Sequence, residues 1–83
     1  MNNLKIKYKG KGKINIFFEI WDYNNKNVHA LQVNRNTKDI KINWTVDLIN
    51  KRYMGKFKDI SEDEEKRIIS ILKDELINYQ DKF

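Results

Sequence analysis

The 83 residues of this chain, 40% of them hydrophobic and 35% charged, allow one small domain with a single core. The absence of cysteine excludes disulfides, thiolate nucleophiles and cysteine-ligated metal sites, and no apolar run approaches the roughly 20 residues that a membrane-spanning helix needs. Residues 1–58 carry thirteen Lys and Arg against four acids, a net charge of +9, whereas residues 59–83 carry four against eight, a net charge of −4.

The first half of the chain alternates polar and apolar residues with the two-residue period of β-strands. Segments rich in glycine or asparagine interrupt this alternation at residues 10–12, 24–27 and 36–39, and such residues are typical of tight turns. The pattern therefore predicts four strands, which span about residues 4–9, 13–23, 28–35 and 39–47.

The alternation also assigns side chains to the two faces of a sheet. The apolar face of the second strand comprises Ile14, Ile16, Phe18 and Ile20. Its other face, which carries further aromatic rings, comprises Asn15, Phe17, Glu19, Trp21 and Tyr23. In the fourth strand Trp44 is in line with Ile40 and Ile42, so we expect its ring in the core.

Residues 61–80 have the pattern of one amphipathic helix. Ser61 and Glu64 have the spacing of a capping box, and the acids at 62–65 lie where the helix dipole favours negative charge. Apolar residues then recur at three- and four-residue spacing, which predicts a helix over about residues 62–80. Residues 48–57 are compatible with a loop, a short helix or a continued strand. We therefore expect an α+β fold, a four- or five-stranded antiparallel meander with one C-terminal helix packed on one face.

Residues for enzymatic chemistry are scarce. His29 is the only histidine, and a single histidine on a half-buried strand is more often structural than catalytic. Glu19 and Asp22 are three apart on a strand, so they point to opposite faces and form no carboxylate pair. The helix dipole accounts for the acids at 62–65 without a metal. We therefore expect no enzymatic activity, no cofactor and no metal.

The basic charge and the aromatic residues favour a binding protein with a polyanionic partner. If the helix covers the Ile16 side of the sheet, Phe17, Trp21 and Tyr23 lie on the uncovered side. Bases of single-stranded nucleic acid stack on such rings at roughly 1–3 kcal/mol each, while Lys and Arg neutralise phosphates. The basic residues that we expect to contact phosphates are Lys13, Arg35, Lys41, Arg52, Lys56 and Lys58.

These features also have structural interpretations. Phe17 and Trp21 equally suit burial against a second subunit, because exposed apolar patches often mark protein interfaces. Lysines that alternate along the first strand protect an edge strand from aggregation. AT-rich codon usage raises the lysine content without any selection for binding.

Around Met54-Gly55-Lys56, five residues before the capping Ser61-Glu62-Asp63-Glu64, the sequence resembles the positive-cofactor-four-like single-stranded DNA-binding family. In that family a strand with aromatic and basic residues leads through a lysine-containing turn into a short strand, and a helix that begins with serine and acids follows. Residues 42–46 match the first of these strands, and residues 68–76 match the helix. Lys58-Asp59 departs from the family's glycine-led apolar strand, and the strand at 4–9 has no counterpart.

The resemblance implies a four-stranded antiparallel sheet plus a helix, and a homodimer formed through the helices. It also implies that single strands are bound without sequence preference. The residues that it implies for this role are Lys13, Trp21, Arg35, Lys41, Trp44, Arg52 and Lys56.

Two functions are favoured by the sequence, and a purely structural role, such as that of an assembly subunit, is a third alternative. The first is a small, cytoplasmic, non-enzymatic protein that binds single-stranded DNA or RNA. The second is a phage-type protein inhibitor that blocks a host defence or replication factor by protein contact, with its acidic helix as a nucleic-acid mimic. The N-terminus lacks the apolar core of a signal peptide, which favours the cytoplasm in both cases.

Overall fold

The computed structural model describes residues 3–49 and 60–83, together with the backbone of residues 52–53. The strands are β1 (Leu4–Lys11), β2 (Asn15–Asp22), β3 (Asn27–Asn34), β4 (Ile40–Asp47) and β5 (Arg52–Tyr53). They are followed by α1 (Glu62–Glu75), which continues as a 3₁₀ helix over Leu76–Lys82. Each strand pairs antiparallel with the next, in the order β1-β2-β3-β4-β5. The predicted antiparallel meander with one C-terminal helix is therefore confirmed.

Glycine lies at a bulge near the end of β1, and short polar side chains form the turns after β2 and β3. Gly10, near the end of β1, has a φ of 140°, which side chains other than hydrogen rarely allow. Between β2 and β3, the carboxylate Oδ1 of Asp22 accepts hydrogen bonds from the backbone N–H groups of Asn24 and Asn25, both at 3.1 Å. The side chain of Asn34 accepts two backbone N–H groups in the same way after β3.

The core lies between the sheet and α1, which covers one side of the sheet (the helix face). Ile68 and Leu72 of α1 are fully buried there. The sheet residues in the same cluster are Ile16, Phe18, Ile20, Leu31, Val33 and Ile42. Ile14 does not join them as predicted, because β2 begins only at Asn15 and Ile14 is 60% exposed.

A β-bulge in β4 determines which of its residues face α1. The register between β3 and β4 shifts by one residue, because Ala30 pairs with Trp44 whereas Leu31 pairs with Ile42. Asn43 is the extra residue. Since opposed residues of an antiparallel pair share a face, Trp44 lies on the face of Ala30 and away from Ile42. The prediction that Trp44 shares the core face of Ile42 is therefore wrong.

The C-terminal helical region bends where an aromatic ring packs on the sheet. α1 is α-helical to Glu75, and within the following 3₁₀ helix Tyr79 leaves helical geometry with a φ of −124°. The Tyr79 ring packs edge-on against Phe18, with 5.1 Å between centroids, and lies 6.4 Å from the Tyr8 ring. The single helix predicted over 62–80 is thus divided, because this packing holds the second part against β1 and β2.

The region with no clear sequence pattern is described only in part. Residues 52–53 pair with Val46 and Asp47 of β4 as a short strand. Residues 54–59, which include Met54-Gly55-Lys56 and Lys58-Asp59, lie outside the described residues.

Candidate nucleic-acid interface

The face of the sheet that points away from α1 (the outer face) presents aromatic rings and lysines in three rows that cross β1 to β4. The first row comprises Lys5, Trp21, Val28 and Val46. The second row comprises Lys7, Glu19, Ala30 and Trp44. The third row comprises Gly10, Phe17, Gln32 and Lys41.

Polar contacts hold Trp21 in the middle of this surface. Its indole Nε1 donates a hydrogen bond to Glu19 Oε1 at 3.0 Å. The Lys7 ammonium lies 4.2 Å from the Trp21 ring centroid, and the Lys9 ammonium lies 4.0 Å from Glu19 Oε1. A cation over an aromatic face is attracted by the ring quadrupole. Positive charge and a flat stacking surface are therefore adjacent on β1 and β2.

A shallow depression lies between Phe17 and Trp44 and has a volume of about 180 Å³. Ala30 lies between these rings on β3, and its methyl group is much smaller than the side chains around it. Phe17 is 38% exposed, and Asn43, the extra residue of the bulge, also lines the depression. An open depression walled by two aromatic side chains suits a planar ligand.

Most of the aromatic residues proposed from the sequence are brought together. Phe17, Trp21 and Trp44 share the outer face, and exposed Lys41 lies in the same row as Phe17. Tyr23 follows β2 and is exposed, with its ring centroid 6.3 Å from that of Trp21. These residues form a continuous surface that the bulge at Asn43 extends onto β4.

Arg35 is placed differently from the prediction. Its Nη1 donates to the backbone carbonyl of Gly12 at 3.0 Å, and its Nη2 donates to that of Phe83 at 3.3 Å. Because β3 ends at Asn34, the Arg35 side chain ties the first turn to the C-terminal segment instead of joining Phe17 and Trp21. Lys13 is exposed in the same turn, at the end of the sheet.

Three other predicted contacts are not tested by the structure. The side chain of Arg52 and the whole of Lys56 and Lys58 lie outside the described residues. Their proposed role in binding phosphates stays a prediction.

Sequence reasoning did not include the lysines of β1 in the site. Lys5 and Lys7 lie on the outer face, and Lys9 contacts it through Glu19. The sequence does contain a pattern that places them there. These lysines alternate with Leu4 and Ile6, which pack on the core, so the lysines point to the opposite face. Their position beside Trp21 depends on the β1–β2 register, which the sequence alone does not specify.

On the helix face, a partly buried ion pair joins the sheet to α1. Asp22 is buried, and its Oδ2 accepts a hydrogen bond from Arg67 Nη2 at 2.7 Å. Arg67 also binds Glu64, with Nε to Oε1 at 2.7 Å. Burial raises the pKa of Asp22, but the hydrogen bonds from Arg67 and Asn25 outweigh it and hold the pKa below its usual value. Asp22 is therefore a structural anion on the side opposite the candidate interface.

His29 is also part of the helix face and is fully buried. Its Nδ1 lies 2.7 Å from Thr45 Oγ1, and its Nε2 has no hydrogen-bond partner among the described residues. Burial lowers the pKa of His29, although the nearby carboxylates of Glu64 and Asp22 oppose this. The ring is therefore neutral at neutral pH and does not contact solvent.

Among residues 3–49 and 60–83, no three His, Asp or Glu side chains are placed to hold a metal ion. No helix in the same part of the chain is long and apolar enough to cross a membrane. Comparison of the chain with protein-family models, curated proteins and solved structures found no match. The resemblance to the positive-cofactor-four-like family stays a prediction, and the candidate interface rests on the geometry of this chain alone.

Proposed function

We propose that this protein binds single-stranded nucleic acid, DNA or RNA, on the outer face of its sheet and catalyses no reaction. The observation that carries the proposal is the shared surface, on which Phe17, Trp21 and Trp44 lie among lysines of β1 and β4. Aromatic rings beside ammonium groups supply the two interactions on which single-strand binding depends, base stacking and phosphate neutralisation.

The surface favours a single strand over a duplex. In a duplex the flat faces of the bases stack on one another, whereas an unpaired strand can place them on protein rings. Lys7 on β1 and Trp44 on β4 are at opposite ends of one row, about 14 Å apart at roughly 4.8 Å per strand. An extended strand that crosses the row therefore has room for more than one nucleotide.

A salt titration of binding tests the proposal. Trp21 and Trp44 report on the site, so we expect a single-stranded oligonucleotide to quench tryptophan fluorescence. If three or four of Lys5, Lys7, Lys9 and Lys41 contact phosphates, the plot of log affinity against log salt has a slope of about −2 to −3, at roughly 0.7 per contact. A duplex of the same sequence is the control and binds more weakly. Absence of binding to DNA and RNA at low salt would refute the proposal.

A second candidate is an inhibitor or adaptor that acts by protein contact, and exposed apolar groups on the C-terminal segment favour it. Ile77 is 69% exposed and borders a depression of about 450 Å³ that Leu76 and Phe83 also line. Apolar groups of this kind often mark protein interfaces. Affinity capture from nuclease-treated cell lysate, with wild type and Ile77→Ser in parallel, tests this candidate. A stoichiometric protein that only the wild type retains supports it, and no such protein counts against it.

The homodimer implied by the family resemblance is a separate proposal. Light scattering measures the mass in solution directly, and a value near twice the 10.1 kDa of one chain would support a dimer. A value near 10.1 kDa at high protein concentration would exclude it.

A further inference from the structure

Glu19 is an acid at the centre of a basic surface. It lies in the second row between Lys7 and Ala30, and its side chain is 19% exposed. It lines the depression between Phe17 and Trp44 together with Asn43. A carboxylate at this position repels phosphate, so phosphate binding alone does not explain it.

The contacts of Glu19 occupy one of its two carboxylate oxygens. Oε1 accepts the hydrogen bond from Trp21 Nε1 at 3.0 Å and lies 4.0 Å from the Lys9 ammonium. Within the described part of the chain, no side chain donates a hydrogen bond to Oε2. A carboxylate that is ionised accepts hydrogen bonds only, so a ligand at this oxygen has to be a donor.

We infer that the depression accepts one base of the bound strand, and that Glu19 makes it select bases with an exocyclic amino group over thymine or uracil. The inference rests on the nucleic-acid-binding function proposed above and adds a base preference to it. The volume of about 180 Å³ equals the liquid volume of roughly six water molecules. That space suits a single heterocycle between Phe17 and Trp44.

The preference follows from the hydrogen-bonding edges of the bases. Cytosine, adenine and guanine each carry an amino group that donates, and acidic side chains accept from the cytosine amino group in known complexes. Thymine and uracil present a carbonyl oxygen where cytosine has its amino group. That oxygen and the Glu19 carboxylate are both acceptors and repel each other. The one donor on the same edge of thymine and uracil, N3–H, lies between two carbonyl oxygens that also repel the carboxylate.

A carboxylate beside aromatic rings also suits a cationic ligand. Lys9 lines this depression, however, and Lys7 and Lys41 lie in the rows of Glu19 and Phe17, so their charge disfavours a cation there. We therefore assign a nucleic-acid base as the ligand of the depression.

Two labelled homo-oligonucleotides test the preference, oligo(dC) and oligo(dT) of about 12 nucleotides, a length within the usual site sizes. We expect the wild type to bind oligo(dC) about tenfold more tightly at the same salt concentration. Glu19→Gln keeps the size of the side chain but supplies a donor as well as an acceptor. The ratio of the affinity for oligo(dC) to that for oligo(dT) should therefore fall towards one, mainly because oligo(dT) binds more tightly.

Glu62→Gln is the matched control, because it removes the same charge from the exposed side of α1. It should change both affinities slightly and equally, and leave the ratio as in the wild type. Equal affinity of the wild type for the two oligonucleotides, or tighter binding of oligo(dT), would overturn the base preference while the proposed function stands. Absence of binding to both would refute the two together. The ratio of the two affinities in the wild type tests the base preference even if Glu19→Gln does not fold.

Discussion

Ile42 and Trp44 lie on opposite faces of the sheet, although Asn43 alone separates them in the chain. In a regular strand residues two apart share a face, and the bulge at Asn43 removes that relationship. Ile42 is buried in the core with α1, whereas Trp44 lies beside Ala30 on the outer face. The two side chains should therefore contribute to different properties of the protein.

Alanine substitutions at these two positions separate stability from binding. Ile42→Ala leaves a cavity in the core and should lower the free energy of unfolding by about 2–5 kcal/mol. Trp44→Ala removes a stacking surface and should weaken oligonucleotide binding by about 1–3 kcal/mol, with a smaller loss of stability. Urea unfolding and fluorescence anisotropy with a labelled oligonucleotide measure the two effects. Wild-type affinity in Trp44→Ala would place the ligand elsewhere.

Lys41 should contribute one phosphate contact. Lys41→Gln is expected to make the slope of log affinity against log salt shallower by about 0.7, because one fewer counterion is released. Lys66→Gln makes the same charge change on the exposed side of α1, where Lys66 pairs with Glu62, and should leave the slope unchanged. If both variants change the slope equally, the effect comes from net charge and not from the outer face.

The ion pair between Asp22 and Arg67 should stabilise the contact between the sheet and α1. Asp22→Asn leaves Arg67 without its buried partner, and we expect a loss of about 2 kcal/mol in the free energy of unfolding. This is less than for a fully buried pair, because the Arg67 side chain is 40% exposed and keeps its bond to Glu64. Glu62→Gln breaks an exposed pair and should cost less than about 0.5 kcal/mol by urea unfolding. Equal losses in the two variants would contradict the prediction.

His29 should make stability sensitive to mild acid. Its pKa is lowered by burial from the ordinary 6.5, so as pH falls the unfolded chain binds a proton before the folded protein does. The contribution of neutral His29 to the free energy of unfolding is therefore fully present above pH 6.5. It decreases below that pH, by at most about 1.4 kcal/mol per pH unit. The charged groups that face the ring are Glu64, Asp22 and Arg67.

Urea unfolding of the wild type and His29→Gln at several pH values between about 7.5 and 5 measures this effect. The variant should have the flatter pH profile, whatever its stability at neutral pH. The lowered pKa of Asp22 acts in a separate window, since its contribution is present above its ordinary value of 3.8 and is lost as pH falls further. An unchanged slope in His29→Gln would show that another group is responsible.

Tyr79 should anchor the 3₁₀ helix to the sheet. Tyr79→Ala removes the ring contacts with Phe18 and Tyr8, and we expect it to destabilise the fold by about 2–3 kcal/mol. Ile77→Ala, two residues earlier and exposed, should cost less than about 0.5 kcal/mol. Hydrogen exchange of residues 76–82 should increase in Tyr79→Ala alone.

The alternating pattern was sufficient to predict the fold class, because burial on one face of a sheet requires a period of two. It was also sufficient to place Phe17 and Trp21 on the face opposite Ile16 and Phe18. The pattern could not reveal the bulge at Asn43, since a bulge is a property of two paired strands and not of one. The face of Trp44 was therefore predicted wrongly.

The contacts of Arg35 and Lys7 were unpredictable for a related reason. Arg35 binds the carbonyls of Gly12 and Phe83, which are distant in sequence and meet only in the folded chain. Lys7 lies over Trp21 because of the register between β1 and β2. A long side chain at the edge of a sheet can reach several partners, and the tertiary structure determines which of them it contacts.

The bulge at Asn43 also has a consequence for how this surface can change in evolution. Loss of Asn43 would restore regular pairing and leave Ile42 and Trp44 on their present faces, because consecutive residues of a regular strand point to opposite faces. Insertion of one residue elsewhere in β4 would instead shift the register and exchange faces at the expense of the core. Substitutions that keep the length of β4, at Ala30 or Asn43, instead reshape the depression without touching Ile68 or Leu72 of α1. Variation in ligand preference among descendants of this protein should therefore come from point substitutions on the outer face and from loss of Asn43, while insertions in β4 that exchange its faces are eliminated.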